Sequence, residues 1–378
     1  MNSVHVKQLK LTTFRNYESA AINAEPGHVV LTGKNGAGKT NILEAISFLS
    51  PGRGMRRAGY DMVAKANCSG SWTVFAKLDG PHGETNIGTG LQETSHGVDT
   101  ARKIHVNGTL AKSSETLLEY SRILWLTPSM DGLFTGSASD RRRFMDRMIL
   151  SIDPQHGRRV SNFEKSMRAR NKLLGEDNPD PAWLDATEVQ LAELGVAIAS
   201  ARHELVTLLS SVIVRNNDPQ SPFPDARISL SGSLESEIGE FVASDLELEY
   251  AQRLKNSRRI DARAGRTLEG PHRSDLIVHH RPKSMPAAQC STGEQKALLV
   301  GLMLAHARLV GEMAGFAPIL LLDEIAAHLD EGRRSALFDM IDALGCQAWM
   351  TGTERELFRS LDNRASFFSV VEGSIQLV

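Results

Sequence analysis

A chain of 378 residues is too long for one comfortable hydrophobic core, so two lobes are expected. Hydrophobic residues at 41% and charged residues at 23% are ordinary for a soluble globular protein, and no apolar run approaches the roughly 18 residues of a membrane span. The net charge of −2 is uninformative as a whole, whereas its distribution along the chain is not. Cys68, Cys290 and Cys346 are far apart and odd in number, which argues against a disulfide framework or a zinc site. The opening residues have no apolar leader core, and a cytoplasmic location is expected.

Val4, Val6, Leu9 and Leu11 against His5, Lys7 and Lys10 read as an opening strand, turned by Phe14-Arg15-Asn16-Tyr17 into a second strand near 19–24. The apolar run Val29-Val30-Leu31 then leads into Gly33-Lys34-Asn35-Gly36-Ala37-Gly38-Lys39-Thr40. Ile42, Ala45, Ile46 and Leu49 follow at helical spacing, so an amphipathic helix is expected, ended by Ser50-Pro51-Gly52. Strand, glycine-rich turn, Lys-Thr and helix are the context a P-loop requires. The glycines let backbone N–H groups close around phosphates, and the helix N-terminus adds positive potential. Lys39 is expected on the β- and γ-phosphates of ATP and the Thr40 hydroxyl on Mg²⁺.

Beyond a basic loop holding Arg53, Arg56 and Arg57, strands near 71–79, 84–91 and 102–106 suggest an antiparallel sheet at the side of the nucleotide core. After Leu124-Trp125-Leu126 the texture changes. Residues 141–172 carry ten Lys or Arg against three acids. Asp180-Pro181 opens a long helix striped by Leu184, Leu191, Leu194, Ile198, Leu205, Leu208 and Val212. A short strand at 226–230 and an acid-rich helix between Glu235 and Glu249 follow, and then a basic segment. From Gly270-Pro271-His272-Arg273-Ser274-Asp275 into Leu276-Ile277-Val278 the nucleotide-fold texture returns.

Ser291 and Glu294 have capping-box spacing at the head of an apolar helix. Ile319–Leu322 reads as a buried parallel strand with Asp323-Glu324 at its carboxyl end. A P-loop enzyme holds Mg²⁺ at such an Asp, and the adjacent Glu can orient or deprotonate the attacking water. A helix at 331–344, a strand near 348–350 and a hairpin close the chain.

These motifs, with Cys290-Ser291-Thr292-Gly293-Glu294 as signature and Ala327-His328-Leu329-Asp330 as D-loop, resemble an ABC-type ATPase head of the Rad50 and SMC class. Phe14–Tyr17, Gly270–Leu276 and a short insert in place of a long coiled coil bring the resemblance to the bacterial RecF family of recombination mediators. It implies an α/β P-loop NTPase head, a mixed sheet with an antiparallel side sheet, and an inserted, mainly helical second lobe. The expected domains are ATPase halves at 1–129 and 269–378 around a helical lobe at 130–268.

The resemblance also implies site roles. Residues 33–40 bind the nucleotide, Arg15 and Asn16 lie near it, Asp323 joins Thr40 at the metal, and Glu324 is the catalytic base beside Lys39. Ser291 and Gly293 reach the γ-phosphate held by an opposite subunit, with Asp330 at the same interface, so ATP clamps two chains. Ser291 can also be simply a helix cap. The implied partners are gapped or junction DNA, RecR and RecO. DNA candidates are Arg53, Arg56, Arg57, Arg141, Arg142, Arg143, Arg253, Lys255, Arg258, Arg259 and Arg263, each readable equally as a solvated or paired face. Leu126–Asp131 lacks a Q-loop glutamine and Thr351-Gly352-Thr353 lacks the H-loop histidine, which favours slow, switch-like ATP hydrolysis. Other classes stay open: a small-molecule kinase, a transporter ATPase subunit and a structural SMC-like head.

Overall fold

The computed structural model describes residues 2–94, 97–99 and 101–378. Two compact units divide the chain. One comprises residues 1–131, 218–224 and 291–378, and the other 132–217 and 225–290.

The first unit opens with the hairpin β1 (His5–Phe14) and β2 (Tyr17–Asn23). The buried residues of β1 are Val6, then Leu9, Leu11 and Phe14, and a register shift between Val6 and Gln8 accounts for the change of phase from Val6 to Leu9. A bulge inserts one residue and turns the following side chains to the other face. Strand β3 (His28–Thr32) and helix α1 (Lys39–Ser47) come next. Strands β4 (Trp72–Gly80), β5 (Gly83–Leu91), the short pair β6 (Glu93–Thr94) and β7 (Gly97–Val98), then β8 (Lys103–Val106) and β9 (Thr109–Leu110) follow. The order β2-β1-β4-β5-β8-β9 makes an antiparallel sheet, the expected side sheet.

β10 (Ile123–Leu126) belongs to a second sheet. In the second unit come α2 (Ala138–Leu150), α3 (His156–Leu174), the 35-residue α4 (Pro181–Arg215), β11 (Ala226–Ser231), α5 (Ser233–Glu237), α6 (Ala243–Ala264), β12 (Asp275–His280) and β13 (Met285–Pro286). The chain returns to the first unit with α7 (Thr292–Ala314), β14 (Ile319–Leu322), α8 (Glu331–Leu344), β15 (Ala348–Gly352), β16 (Ala365–Val371) and β17 (Ser374–Leu377). The second sheet runs β10-β14-β15-β3-β16-β17, with every pairing parallel except the last. One core cluster links the two sheets through α1, and Trp72 packs on Phe14 and Phe48 with ring centroids 5.7 and 5.0 Å apart.

Three expectations change. α1 is enclosed all round rather than amphipathic, since Leu43, Glu44 and Ser47 are as buried as Ile42, Ala45 and Ile46. The acid-rich helix is broken between α5 and α6, where Gly239 adopts φ 94°. Residues 276–278 pair antiparallel with β11, so that strand belongs to the helical unit's own three-stranded sheet and not to the nucleotide core. In addition, α4 and α7 have the length and apolar composition of a membrane span, with 44% and 67% of the qualifying windows buried inside the structure.

Asp180 caps α4 by accepting from the Ala182 N–H at 2.8 Å, with Pro181 at the first helical position, as its sequence predicts. Helices α3, α4 and α6 pack around Leu191, Val196, Ala199, Tyr250 and Leu254. Arg170 crosses this core fully buried. It donates to Glu188 (2.9 Å), Asp261 (2.7 Å), the Thr267 hydroxyl (2.9 Å) and the Leu254 carbonyl (2.7 Å). Removing one partner of a buried ion pair strands the other charge. Arg170→Met is therefore expected to cost about 3–5 kcal/mol, read as a lower urea midpoint by circular dichroism. A midpoint equal to that of the unsubstituted chain contradicts the assignment.

Candidate functional site

The glycine-rich loop leaves the carboxyl end of β3, between β15 and β16. Gly33 has φ 149°, and a Cβ there would lie 2.3 Å from the Val370 carbonyl oxygen, so the position admits glycine alone. At Gly38, φ is 115° and a Cβ would come within 2.5 Å of Asn16 and 2.7 Å of Tyr17. The β1–β2 turn is thus pressed against the loop. Asn16 Nδ2 donates to the Ala37 carbonyl (3.2 Å), Tyr17 Oη donates to the Gly38 carbonyl (3.0 Å), and Asn41 Nδ2 donates to Asn16 Oδ1 (2.7 Å). Helix α1 starts at Lys39 with no side-chain cap, and the Asn41 N–H turns back to the Gly38 carbonyl at 3.0 Å, so the positive end of the helix lies at the loop.

Lys39 Nζ donates to the carbonyls of Gly33 (2.6 Å) and Lys34 (2.9 Å). Burial lowers its pKa, while the charges of Glu324 and then Asp323 pull it back up, so both acids lie within electrostatic reach of the ammonium. The Thr40 hydroxyl donates to Asp323 Oδ1 at 2.8 Å, across 283 residues of sequence. Thr351, wholly buried at the end of β15, donates to the same oxygen at 2.8 Å. Its hydroxyl oxygen also accepts the Glu324 N–H at 2.8 Å. Glu324 sits in the left-handed region at φ 52°, a conformation that raises the energy of a non-glycine residue and clusters at functional sites.

Not every expected residue converges here. Arg15 clamps the buried Glu44 through two hydrogen bonds (2.8 and 2.6 Å) and reaches the Met62 carbonyl, while Arg56 pairs with Glu44 at 2.9 Å. Both answer the charge of Glu44 inside α1. Ser291 and Gly293 make no hydrogen bond to the P-loop among the described residues. Ser291 caps α7 in a full capping box with Glu294, and Asp330 caps α8 by accepting from the Arg333 N–H (2.9 Å).

The basic runs divide in the same way. Arg141 binds Asp275 through two hydrogen bonds (2.7 and 2.8 Å), Arg142 donates to the Ser274 carbonyl (2.6 Å), and Arg143 pairs with Asp140. Arg258 holds Glu188 and Asp185, Lys255 pairs with Asp185, and Arg253 pairs with Glu237 and Glu269. Arg53, Arg57, Arg259 and Arg263 are exposed.

Residues 5–376 match the family model described as RecF/RecN/SMC N terminal domain. The chain is 58% identical over 376 residues to the DNA replication and repair protein RecF of Rhizobium leguminosarum bv. trifolii, covering 99% of each. The chain belongs to the RecF family. A second relative of the same name, from Brucella suis biovar 1, is 58% identical over 98% of this chain and 96% of its own length. Among solved structures the fold matches that of "the recombination mediator protein RecF-ATPrS in RecFOR pathway", with a TM-score of 0.88, 23% identity and coverage of 100% and 99%. It also matches an Smc head domain from Pyrococcus furiosus, with a TM-score of 0.54, 18% identity and coverage of 99% and 96%. The architecture is accordingly that of the RecF and SMC heads, and the family is one of DNA replication and repair proteins. Membership sets aside the kinase and the transporter subunit.

Sequence reasoning assigned no role to Tyr17, Glu44 or Thr351. Tyr17 stood inside a quoted motif, and burial raises the pKa of its phenol, so it remains a donor to Gly38. Thr351 was visible only as the place where a histidine is missing. Thr351→Val removes one donor to Asp323 and strands the Glu324 N–H. A loss of about 1–3 kcal/mol in stability is expected, with Thr351→Ser close to the unsubstituted chain, measured by chemical denaturation.

Proposed function

We propose that this chain is an ATP-driven DNA-binding switch in cytoplasmic recombination and repair. The reading assigns the nucleotide site to the two ATPase halves and leaves the helical lobe between them for other contacts. The observation that carries it is the Thr40–Asp323 hydrogen bond of 2.8 Å, which joins the P-loop helix to the end of β14 beside Lys39. A hydroxyl and a carboxylate converging there, at an uncapped helix start, are the oxygen donors a magnesium–nucleotide complex requires. When bound, Mg²⁺–ATP supplies the phosphoanhydride and the cation that offsets its charge.

The chain's own residues then divide the work. The loop N–H groups and Lys39 hold the phosphates, and Thr40 and Asp323 hold the metal. Glu324, fixed by Thr351, takes the proton of the attacking water. Ser291 and Gly293, at an exposed helix N-terminus, meet the γ-phosphate held by a second copy, with Asp330 at the same dimer interface. A RecF–ATP structure of similar fold is described as a recombination mediator in the RecFOR pathway. On that basis DNA, RecR and RecO are the partners we assign.

Glu324→Gln is expected to retain ATP binding and lose roughly 10²–10⁴-fold in hydrolysis, the usual weight of a general base. Phosphate release at the unsubstituted rate would show that another group orients the water.

Ser291→Arg separates a site within one chain from a shared one. It places a bulky cation at the head of α7 and leaves Lys39, Thr40 and Asp323 untouched. The expected result is near-normal ATP binding, with loss of ATP-induced dimers in light scattering and of ATP hydrolysis. A variant that still dimerises and hydrolyses normally would reduce Ser291 to a helix cap and end the shared-site reading.

A further inference from the structure

Among the described residues the motif at 270–276 makes no hydrogen bond to the P-loop, and the helical unit to which it belongs grips it from several sides. Gly270 has φ 130°, and a Cβ there would fall 2.1 Å from the hydroxyl of the buried Tyr250. That hydroxyl donates to the Glu269 carbonyl at 2.9 Å. Arg202, 3% exposed, donates to the Pro271 carbonyl (2.5 Å) and the Ser274 hydroxyl (2.8 Å), and its other edge is held by Asp146 at 3.0 Å. Arg142 donates to the Ser274 carbonyl (2.6 Å), Arg141 clamps Asp275, and His272 Nε2 lies 2.9 Å from the Thr267 carbonyl.

The Arg273 N–H itself donates to the Gly270 carbonyl at 2.9 Å, so the backbone is fixed on every side, while the Arg273 guanidinium is exposed and makes no hydrogen bond or ion pair among the described residues. The neighbouring acids are already engaged. Asp146 and Glu235 pair with Arg202, Asp275 with Arg141, Glu269 with Arg253, and Asp261 with Arg170. Arg142 has no carboxylate partner among the described residues either. Burial lowers its pKa and the charge of Arg202 lowers it further. Asp275 and Asp146 raise it, and Arg273, more weakly, lowers it again, so Arg142, Arg202 and Arg273 lie within electrostatic reach of one another. An exposed arginine ordinarily belongs to a solvated face, on backbone that nothing else constrains. Here the backbone on both sides is pinned, and neither guanidinium group makes an ion pair among the described residues.

We propose that Arg273 and Arg142 form a phosphate-binding pair for the backbone of DNA, presented by the pinned loop 270–275. The proposal rests on the DNA-binding reading above. Guanidinium forks match phosphate oxygens, and contacts to phosphate position a protein on DNA without reading sequence.

The test is fluorescence anisotropy of the full chain, with ATP, on labelled duplex and gapped DNAs of unrelated sequence across a potassium chloride series. The variants are Arg273→Gln, Arg273→Lys and Arg142→Gln, with Lys112→Gln as an exposed control. Arg273→Gln is expected to weaken binding to every sequence alike and to make the log–log salt slope shallower by about 1. Arg273→Lys should keep the slope, and Arg142→Gln should shift it in the same direction as Arg273→Gln. Thermal unfolding of Arg273→Gln should be unchanged, since its side chain is exposed. Binding by Arg273→Gln with the affinity and slope of the unsubstituted chain overturns this proposal alone. So does an equal loss in the control. Absence of DNA binding by the unsubstituted chain overturns the DNA reading itself.

Discussion

The nucleotide half depends on one carboxylate oxygen. Asp323 Oδ1 accepts from Thr40 on α1 and from Thr351 on β15, so the end of β14 is tied to both of these elements at once. Each hydrogen bond to a charged acceptor in a buried setting is stronger than a neutral one. Loss of the shared oxygen would free both hydroxyls together. The same threonine holds the Glu324 N–H, and so the left-handed backbone that brings Glu324 beside Lys39 is sustained by the strand next door.

A second constraint follows from enclosing α1 between two sheets. Glu44 is carried fully buried into the core, where an isolated carboxylate costs several kcal/mol. Arg15 and Arg56 answer that charge, and in doing so they pin the β1–β2 turn and the basic loop around the P-loop helix. The helical unit uses the same device at larger scale. Arg170 and Arg202 reach across α3, α4, α6 and the loop at 270–275, and their carboxylate partners come from distant parts of the sequence. Positive residues that look like a nucleic-acid surface when counted along the chain are, in good part, internal cross-links.

Much of the site was legible before any coordinates. Gly33–Thr40 after an apolar run and before a helix carries its own context, because the glycines, lysine and threonine act through backbone geometry set within eight residues. Asp323-Glu324 at the end of Ile319–Leu322 was legible for the same reason, as were the Ser291–Glu294 capping box and the Asp180-Pro181 helix start. Glu44 gave no signal, since nothing local distinguishes a buried glutamate from a solvated one. Leu276-Ile277-Val278 looked like a nucleotide-fold strand because an apolar run does not name its neighbour, and β11, about fifty residues upstream, supplied it.

The sequence by itself determined the local elements whose physics closes over a few residues: the phosphate loop, the helix caps, the buried strand with acids at its end, and through these the family. Tertiary structure alone decided what each charge is for. Arg15 and Arg141 differ from Arg53 and Arg273 in nothing the chain order shows. What separates them is whether folding brings a carboxylate within about 3 Å, and that pairing joins Arg15 to Glu44 across 29 residues and Arg141 to Asp275 across 134. Coulomb attraction acts through space in a medium whose polarity is itself set by packing, so it cannot be read from position along the chain.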